Sequence, residues 1–185
     1  MLTNPTPPAP LPTPPELPPV ELRPITSADN AALKQVVLAC LAEYGLGGEG
    51  TAAADPELAD MAGFVAQHPH ANYWVLATAD EQGQPVVVGG GGWMHLKGTP
   101  LAEGKAEMIK FYLLPPYRRQ GWGQRLLALA EAEAKQAGFT WAYAETIPAM
   151  KSVPMLQKHG YSVLNERWGS TGHSQLTVWL AKPLA

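Results

Sequence analysis

Polar and apolar residues alternate over positions 20–25 (VELRPI), which predicts a short opening strand, and the period then changes. Thr26, Ser27 and Asp29 offer N-caps for a helix running to about Tyr44, where the GLGGEG run over 45–50 breaks it. A second helix is predicted from Asp55-Pro56, with Leu58, Met61, Phe64 and Val65 on one face and His68-Pro69 as its stop. Positions 72–78 (NYWVLAT) and 85–95 read as strands around an Asp80–Gly83 turn, the second carrying four consecutive glycines. Such glycines suit a bulge or the close approach of another chain segment. Positions 106–114 (AEMIKFYLL) form the third strong strand, after 72–78 and 85–95, and Pro115-Pro116 stops it.

From there strand and helix alternate. A helix is predicted over 121–137, with Leu126, Leu127, Leu129 and Ala130 inward and Gly138 as its cap. A strand follows over 139–147, a short helix over 150–158, and two last strands over 161–166 and 175–180. The first nineteen residues hold nine of the nineteen prolines and read as a low-complexity, polyproline-like leader, so the domain is expected over 20–185. A chain of 185 residues supports one domain with a real core. The net charge of −3 argues against a nucleic-acid partner. No apolar run approaches membrane-spanning length and no signal peptide is evident, so a cytoplasmic location is expected. The single cysteine, Cys40, sits in an apolar helical pattern and reads as a core residue.

The candidate chemistry lies at Tyr117–Leu127 (YRRQGWGQRLL), between the third strand and a helix. The first-turn amides of a helix point outward, and its dipole favours negative charge there. Gly121 and Gly123 remove the Cβ atoms that would hold phosphate oxygens away, and Arg118 and Arg119 add charged donors. A P-loop would need Lys-Ser or Lys-Thr where Gln124-Arg125 stands, and a dinucleotide fingerprint a glycine where Leu126 stands.

Arg118-x-x-Gly121-x-Gly123 resembles the acetyl-CoA signature of the GNAT-type N-acetyltransferases. The similarity extends over the order of elements from about residue 20, over AEMIKFYLLPPYRRQGWGQRLL, and over MLQKHGY at Met155–Tyr161. A small bacterial-type subgroup is resembled at GLGGEGTAAADPEL, Ala144-Glu145-Thr146 and Thr171-Gly172-His173. This resemblance implies an α/β fold: a mixed sheet of six to seven strands, about four helices, and a splayed central strand pair. It implies acetyl-CoA as co-substrate, with main-chain contacts from Phe111, Tyr112 and Leu113 and the pyrophosphate on Arg118, Arg119, Gln120, Gly121, Trp122, Gly123 and Gln124. The Leu113 N–H would polarise the thioester carbonyl.

The implied reaction is acetyl transfer to an amine of a small molecule, amino acid or peptide by direct attack on the thioester. Glu107 and Glu145, on the strands flanking the gap, are the candidate bases, and His173 and His95 candidate acceptor-site residues. His68, His70 and His159 show no metal-ligand pattern, and no metal is expected. The acceptor would enter over the 45–55 loop, whose Glu49 and Asp55, flanked by Glu43 and Glu57, suit a cation. Ala149 and Leu156 stand where the family often has Asn and Tyr, which leaves Tyr161 or Tyr112 as substitute acids. The partners are therefore acetyl-CoA and an unidentified amine, without nucleic acid or membrane, and a homodimer is left open. The alternative is a non-catalytic acyl-CoA sensor or interaction module.

Overall fold

The structure is a computed structural model that describes residues 18–184; most of the proline-rich leader, residues 1–17, and Ala185 lie outside the described residues. Seven strands form one mixed sheet: β1 (Glu21–Pro24), β2 (Ala71–Ala79), β3 (Pro85–His95), β4 (Lys105–Leu113), β5 (Trp141–Thr146), β6 (Ser162–Val163) and β7 (Val178–Pro183). Their spatial order is β1-β2-β3-β4-β5-β7-β6, antiparallel throughout except for β4 against β5. The described residues also form four α-helices, α1 (Asn30–Ala42), α2 (Met61–Gln67), α3 (Trp122–Gln136) and α4 (Val153–Lys158). No helix of the described residues is long and apolar enough to cross a membrane.

Strand alternation divides the core into two layers. Trp74, Leu76, Val88 and Met108 pack with Leu126, Leu127 and Ala130 of α3. Tyr73, Val75, Val87 and Ile109 pack on the opposite face with Leu33, Val37 and Leu41 of α1. At the start of α1, Arg23 donates to both carboxylate oxygens of Asp29 at 2.8 Å, and the Thr26 amide and hydroxyl each donate to Asp29 Oδ2 at 2.8 Å. These donors hold the Asp29 carboxyl down at about 2, with Arg23 foremost and burial opposing.

The glycine run of β3 has a packing cause. A Cβ on Gly90 would sit 2.8 Å from the Tyr73 ring, and one on Gly91 2.6 Å from the Phe111 ring. Tyr73 is thereby free to lie flat across β3 and donate its hydroxyl to the Lys110 carbonyl at 2.8 Å. That bond fixes a bulge in β4, where Gly90 pairs with Tyr112 but Gly92 pairs with Ile109. Lys110 lies within the bulge in the left-handed region, at φ 51°.

Several predicted boundaries move. The helix expected from Asp55-Pro56 is instead a 3₁₀ turn over Pro56–Ala59, and α2 starts afresh at Met61 because the Asp60 side chain accepts from the Gly63 amide at 2.9 Å. The strand expected over 161–166 shrinks to two residues. The last strand shifts to Val178–Pro183, because Gln175 and Leu176 turn to donate to the Gly50 and His173 carbonyls. The last helix starts at Val153, after a 3₁₀ turn over Pro148–Met150.

Candidate active site

The parallel pairing of β4 with β5 covers only Lys105–Glu107 against Trp141–Tyr143. Beyond it the two strands part, and a cavity of about 350 Å³ opens between them. Its lining includes Phe111, Tyr112 and Leu113 of β4, Glu145 of β5, Gly123 and Leu127 of α3, and His173. Leu114 donates to the Val88 carbonyl at 2.9 Å, so its predecessor Leu113 turns its amide away from β3, towards the gap. The non-glycine residues with positive φ are Lys110, Arg119 (64°) and Lys151 (54°), and all three line this cavity. Backbone strain in the described chain is thus gathered at one place, as at functional sites generally.

The cavity leads to the turn before α3. The Arg118 amide donates to the Pro115 carbonyl at 3.2 Å and the Arg125 amide to the Gly121 carbonyl at 3.1 Å; the amides between them find no acceptor among the described residues. Arg119 and Gly121 (φ 87°) both adopt left-handed conformations, which curl successive amides into an anion-binding concavity. Gly121 is required by its φ. Gly123 is not, and a Cβ there would meet no atom within 4 Å. The protein's own packing gives no reason for that glycine, whereas a group seated on the free amides does. The turn therefore fits a pyrophosphate.

Arg118 behaves differently from the expectation. Its Nε donates to the Leu113 carbonyl at 2.6 Å and its guanidinium pairs with Glu43. It ties the turn to the C-terminal end of α1 rather than pointing at the concavity.

The carboxylates lie on the opposite wall. Glu107 and Glu145 share the sheet face that carries α1 and α2, because their neighbours Ala106, Met108, Ala142 and Ala144 face α3. Glu145 is fully engaged: it accepts from the Tyr143 hydroxyl at 2.6 Å and from Thr171 at 2.9 Å, and pairs with Arg167 at 3.2 Å. Glu107 is as deeply placed, 5% exposed, yet accepts no hydrogen bond among the described residues. Burial pushes its carboxyl up to about 7 against the pull of His173, with Glu145 adding to the rise.

His173 reaches this group from the loop between β6 and β7. Its Nε2 lies 3.0 and 3.2 Å from the two carboxylate oxygens of Asp55. Its Nδ1 lies 3.8 Å from Glu107 and 3.7 Å from Glu145. Burial alone would lower the imidazole pKa; the bond to Asp55 and the nearby Glu107 outweigh it and hold the ring above its ordinary value. Lys110, 2% exposed at its side chain, bonds Asp55 at 2.6 Å and Glu57 at 2.9 Å, and these partners overcome burial to keep it charged. Asp55 is held below its usual range, since His173 and Lys110 together outweigh its desolvation.

Comparison with known proteins decides the family. Residues 41–161 match the Acetyltransferase (GNAT) family. An Escherichia coli protein described as "Uncharacterized N-acetyltransferase YjgM" is 34% identical over 165 residues, 88% of this chain and 94% of that one. The chain belongs to the GNAT acetyltransferase family. Solved structures share its fold: a Staphylococcus aureus GNAT acetyltransferase at TM-score 0.72 and 13% identity, covering 90% of this chain and all of that one. A Salmonella typhimurium acetyltransferase, yncA, solved with acetyl-CoA, follows at TM-score 0.66 and 16% identity, covering 90% and 95%.

Within this GNAT frame several expectations need correction. His95 lies away from the cavity, near the Phe139 ring (6.1 Å between centroids) with its Nε2 3.4 Å from the Thr99 hydroxyl. Tyr161 is a core residue 3% exposed, with Lys182 over its ring, and is no substitute acid at the cavity; Tyr112 does line it. Leu156 also lines the cavity, so an apolar side chain stands where the family often has tyrosine. The entrance is not the open acidic loop expected, because Asp55 and Glu57 both bond Lys110, and Glu43 pairs with Arg118.

Arg167, the Asp55–His173 contact and the pairing of Lys110 with Asp55 and Glu57 were not legible in the sequence. A lysine in the middle of the apolar run AEMIKFYLL was the one available signal. Its acidic partners lie 53 and 55 residues upstream, beyond any local pattern.

Proposed function

We propose that the protein transfers the acetyl group of acetyl-CoA to an amine, with Glu107 as the base that receives the amine's proton. The observation that carries this reading is the buried Glu107 carboxylate, which accepts no hydrogen bond among the described residues and lines the cavity opened by the parting of β4 and β5. The free amides from Arg119 to Gln124, with the open space over Gly123, support seating the cofactor's pyrophosphate at the head of α3. The open edges at Phe111, Tyr112 and Leu113 suit its extended arm, since unpaired strand amides favour a ligand that satisfies them. Arg118 serves this site by bracing the turn against Glu43.

An amine reaches the cavity largely protonated and is no nucleophile in that form. Glu107, poised at about 7, accepts the proton near neutral pH. The freed nitrogen lone pair then forms the new bond to the acetyl carbon while the carbon–sulfur bond breaks. Negative charge growing on the acetyl oxygen falls to the Leu113 amide, which is aimed into the gap. The nitrogen still carries two hydrogens as it bonds to carbon; it gives up the second through water or Tyr112, and the departing thiolate takes up a proton by the same route, because Leu156 offers none. Glu145, committed to Tyr143, Thr171 and Arg167, holds the β6–β7 loop over the site and is not the base.

The test pairs Glu107→Gln with Glu145→Gln and measures release of the CoA thiol across an amine panel, with acetyl-CoA binding followed by calorimetry. Glu107→Gln should lower turnover by about 10²–10⁴-fold and leave acetyl-CoA binding intact. Unchanged turnover removes Glu107 from the role. Tight acetyl-CoA binding without turnover on any amine would favour the non-catalytic sensor instead.

A further inference from the structure

The Glu107 reading leaves a difficulty that the cavity itself answers. A carboxylate buried near Glu145 and Asp55 is discouraged from ionising by desolvation and by like charge together. A base that stays protonated at neutral pH accepts nothing. Lys110 does not remove the problem, because Asp55 and Glu57 already hold its ammonium at 2.6 and 2.9 Å. Arg167 is spent on Glu145 and, through its Nη2, on the His173 and Leu176 carbonyls at 2.7 and 3.0 Å. Lys110 still draws on Glu107, but the positive group with the largest pull on it is His173, whose Nδ1 lies 3.8 Å away.

We propose that His173, gripped by Asp55, is a positioning residue whose imidazolium keeps Glu107 ionised and facing the acceptor. This rests on the reading of Glu107 as the base. The arrangement has a definite sense. Nε2 donates to Asp55, which fixes the ring plane, and a charged ring then presents its Nδ1–H between Glu107 at 3.8 Å and Glu145 at 3.7 Å. Those two distances exceed hydrogen-bond length, so the ring acts on Glu107 by its field and leaves the carboxylate oxygens free for the substrate proton. The groups facing the ring are Asp55 from the α1–α2 connection, Glu107 and Lys110 from β4, Glu145 from β5, and Arg167 from its own loop. Three of these five are carboxylates within 3.8 Å of the imidazole, and Asp55 and Glu107 among them favour its charged form against burial.

The loop is built to hold this position. The Thr171 hydroxyl accepts from the His173 amide at 3.2 Å while donating to Glu145 at 2.9 Å. Gln175 donates to the Gly50 and Glu49 carbonyls at 3.1 and 2.6 Å, joining the same loop to the segment that carries Asp55. The β6–β7 loop and the α1–α2 connection therefore meet at the His173–Asp55 contact, across the mouth of the parted strands.

The experiment needs no acceptor. The full-length protein, saturated with CoA and labelled with δ-¹³C glutamate, is titrated by NMR, and Glu107 is assigned by the signal missing from Glu107→Gln. In His173→Gln, which keeps a donor towards Asp55 but no charge, the Glu107 titration should move upward by about one pH unit or more. A Glu107 titration unmoved in His173→Gln overturns the proposal. Should that variant not fold, ¹⁵N-imidazole shifts of the wild-type protein decide: His173 cationic through the range where Glu107 ionises supports it, and a neutral ring at pH 7 overturns it. Turnover of Glu107→Gln separately tests the base. An inactive Glu107→Gln beside an unmoved titration would sink this inference alone.

Discussion

Asp29 and Glu107 are equally buried, each 5% exposed, and their environments have opposite effects. Asp29 accepts four hydrogen bonds of 2.8 Å from Arg23 and Thr26 and is held down at about 2. Glu107 accepts none among the described residues, faces a cavity and is pushed up to about 7. Equal exposure therefore does not set a carboxylate's role; the donors supplied to it, against the desolvation it suffers, do. A carboxylate given every donor it can use closes the start of a helix, whereas one given none keeps an unmet demand that a ligand's proton can fill.

The largest effect should come from giving Glu107 what it lacks. Glu107→Gln trades a turnover loss of about 10²–10⁴-fold for a gain in stability. The sign follows from linkage. A carboxyl whose folded pKa is raised from 4.5 to about 7 favours the native state while protonated, and that contribution is lost as pH rises through 7. Denaturant melts should find the variant more stable than wild type at pH 8, by up to about 3 kcal/mol, and the gain should vanish near pH 4. Equal melts at pH 8 would erase the contrast with Asp29.

Asp29→Asn should do the reverse: it removes charged hydrogen bonds and costs about 2–3 kcal/mol of stability, with turnover unchanged below the melting range. Because Asp29 is depressed, its contribution is present above its unfolded pKa and lost only as pH falls through about 2. Wild type and Asp29→Asn should therefore differ by a constant amount from pH 5 to 8 and converge in acid.

The glycines repeat the comparison. A Cβ on Gly92 would strike the Asn72 carbonyl and the Tyr73 ring, so Gly92→Ala should lower the melting temperature outright. Gly123 has open space, so Gly123→Ala should leave the free protein as stable or up to about 1 kcal/mol more so. Its acetyl-CoA affinity, read by calorimetry, should nonetheless fall at least tenfold. The smallest effect belongs to Arg118→Ala. Its bridge to Glu43 is about one-third exposed on each side, so the loss should be about 1 kcal/mol or less, with acetyl-CoA affinity reduced less than tenfold.

The sequence made legible what is local or periodic. Strand alternation, the glycine pair before a helix and the Pro115-Pro116 stop gave the order of elements, and the family resemblance placed Glu107 and Glu145 on the strands beside the gap. What escaped it depends on contacts across the chain. Asp55 and His173 are 118 positions apart, and nothing in either neighbourhood announces the other. Asp55 reads as part of an acidic loop suited to a cation until the fold brings Lys110 and His173 to it. Arg118 reads as a phosphate ligand because its motif says so, while Glu43, which takes it, lies 75 positions upstream. Helix starts erred for a local reason: Asp60 caps as well as Asp55 does, and in the fold it makes the cap.

The three-residue seam between β4 and β5 has a consequence for how the molecule comes apart. It divides the sheet into a four-strand block, β1 to β4, and a three-strand block, β5 to β7, stitched by little main-chain pairing. Amides of β5 and β7 should exchange with deuterium through a partial opening that leaves β2 and β3 protected. An extended ligand lying along Phe111–Leu113 bridges the two blocks, and with it bound both sets of amides should exchange only through complete unfolding. The donor would then convert two loosely joined blocks into one cooperative unit.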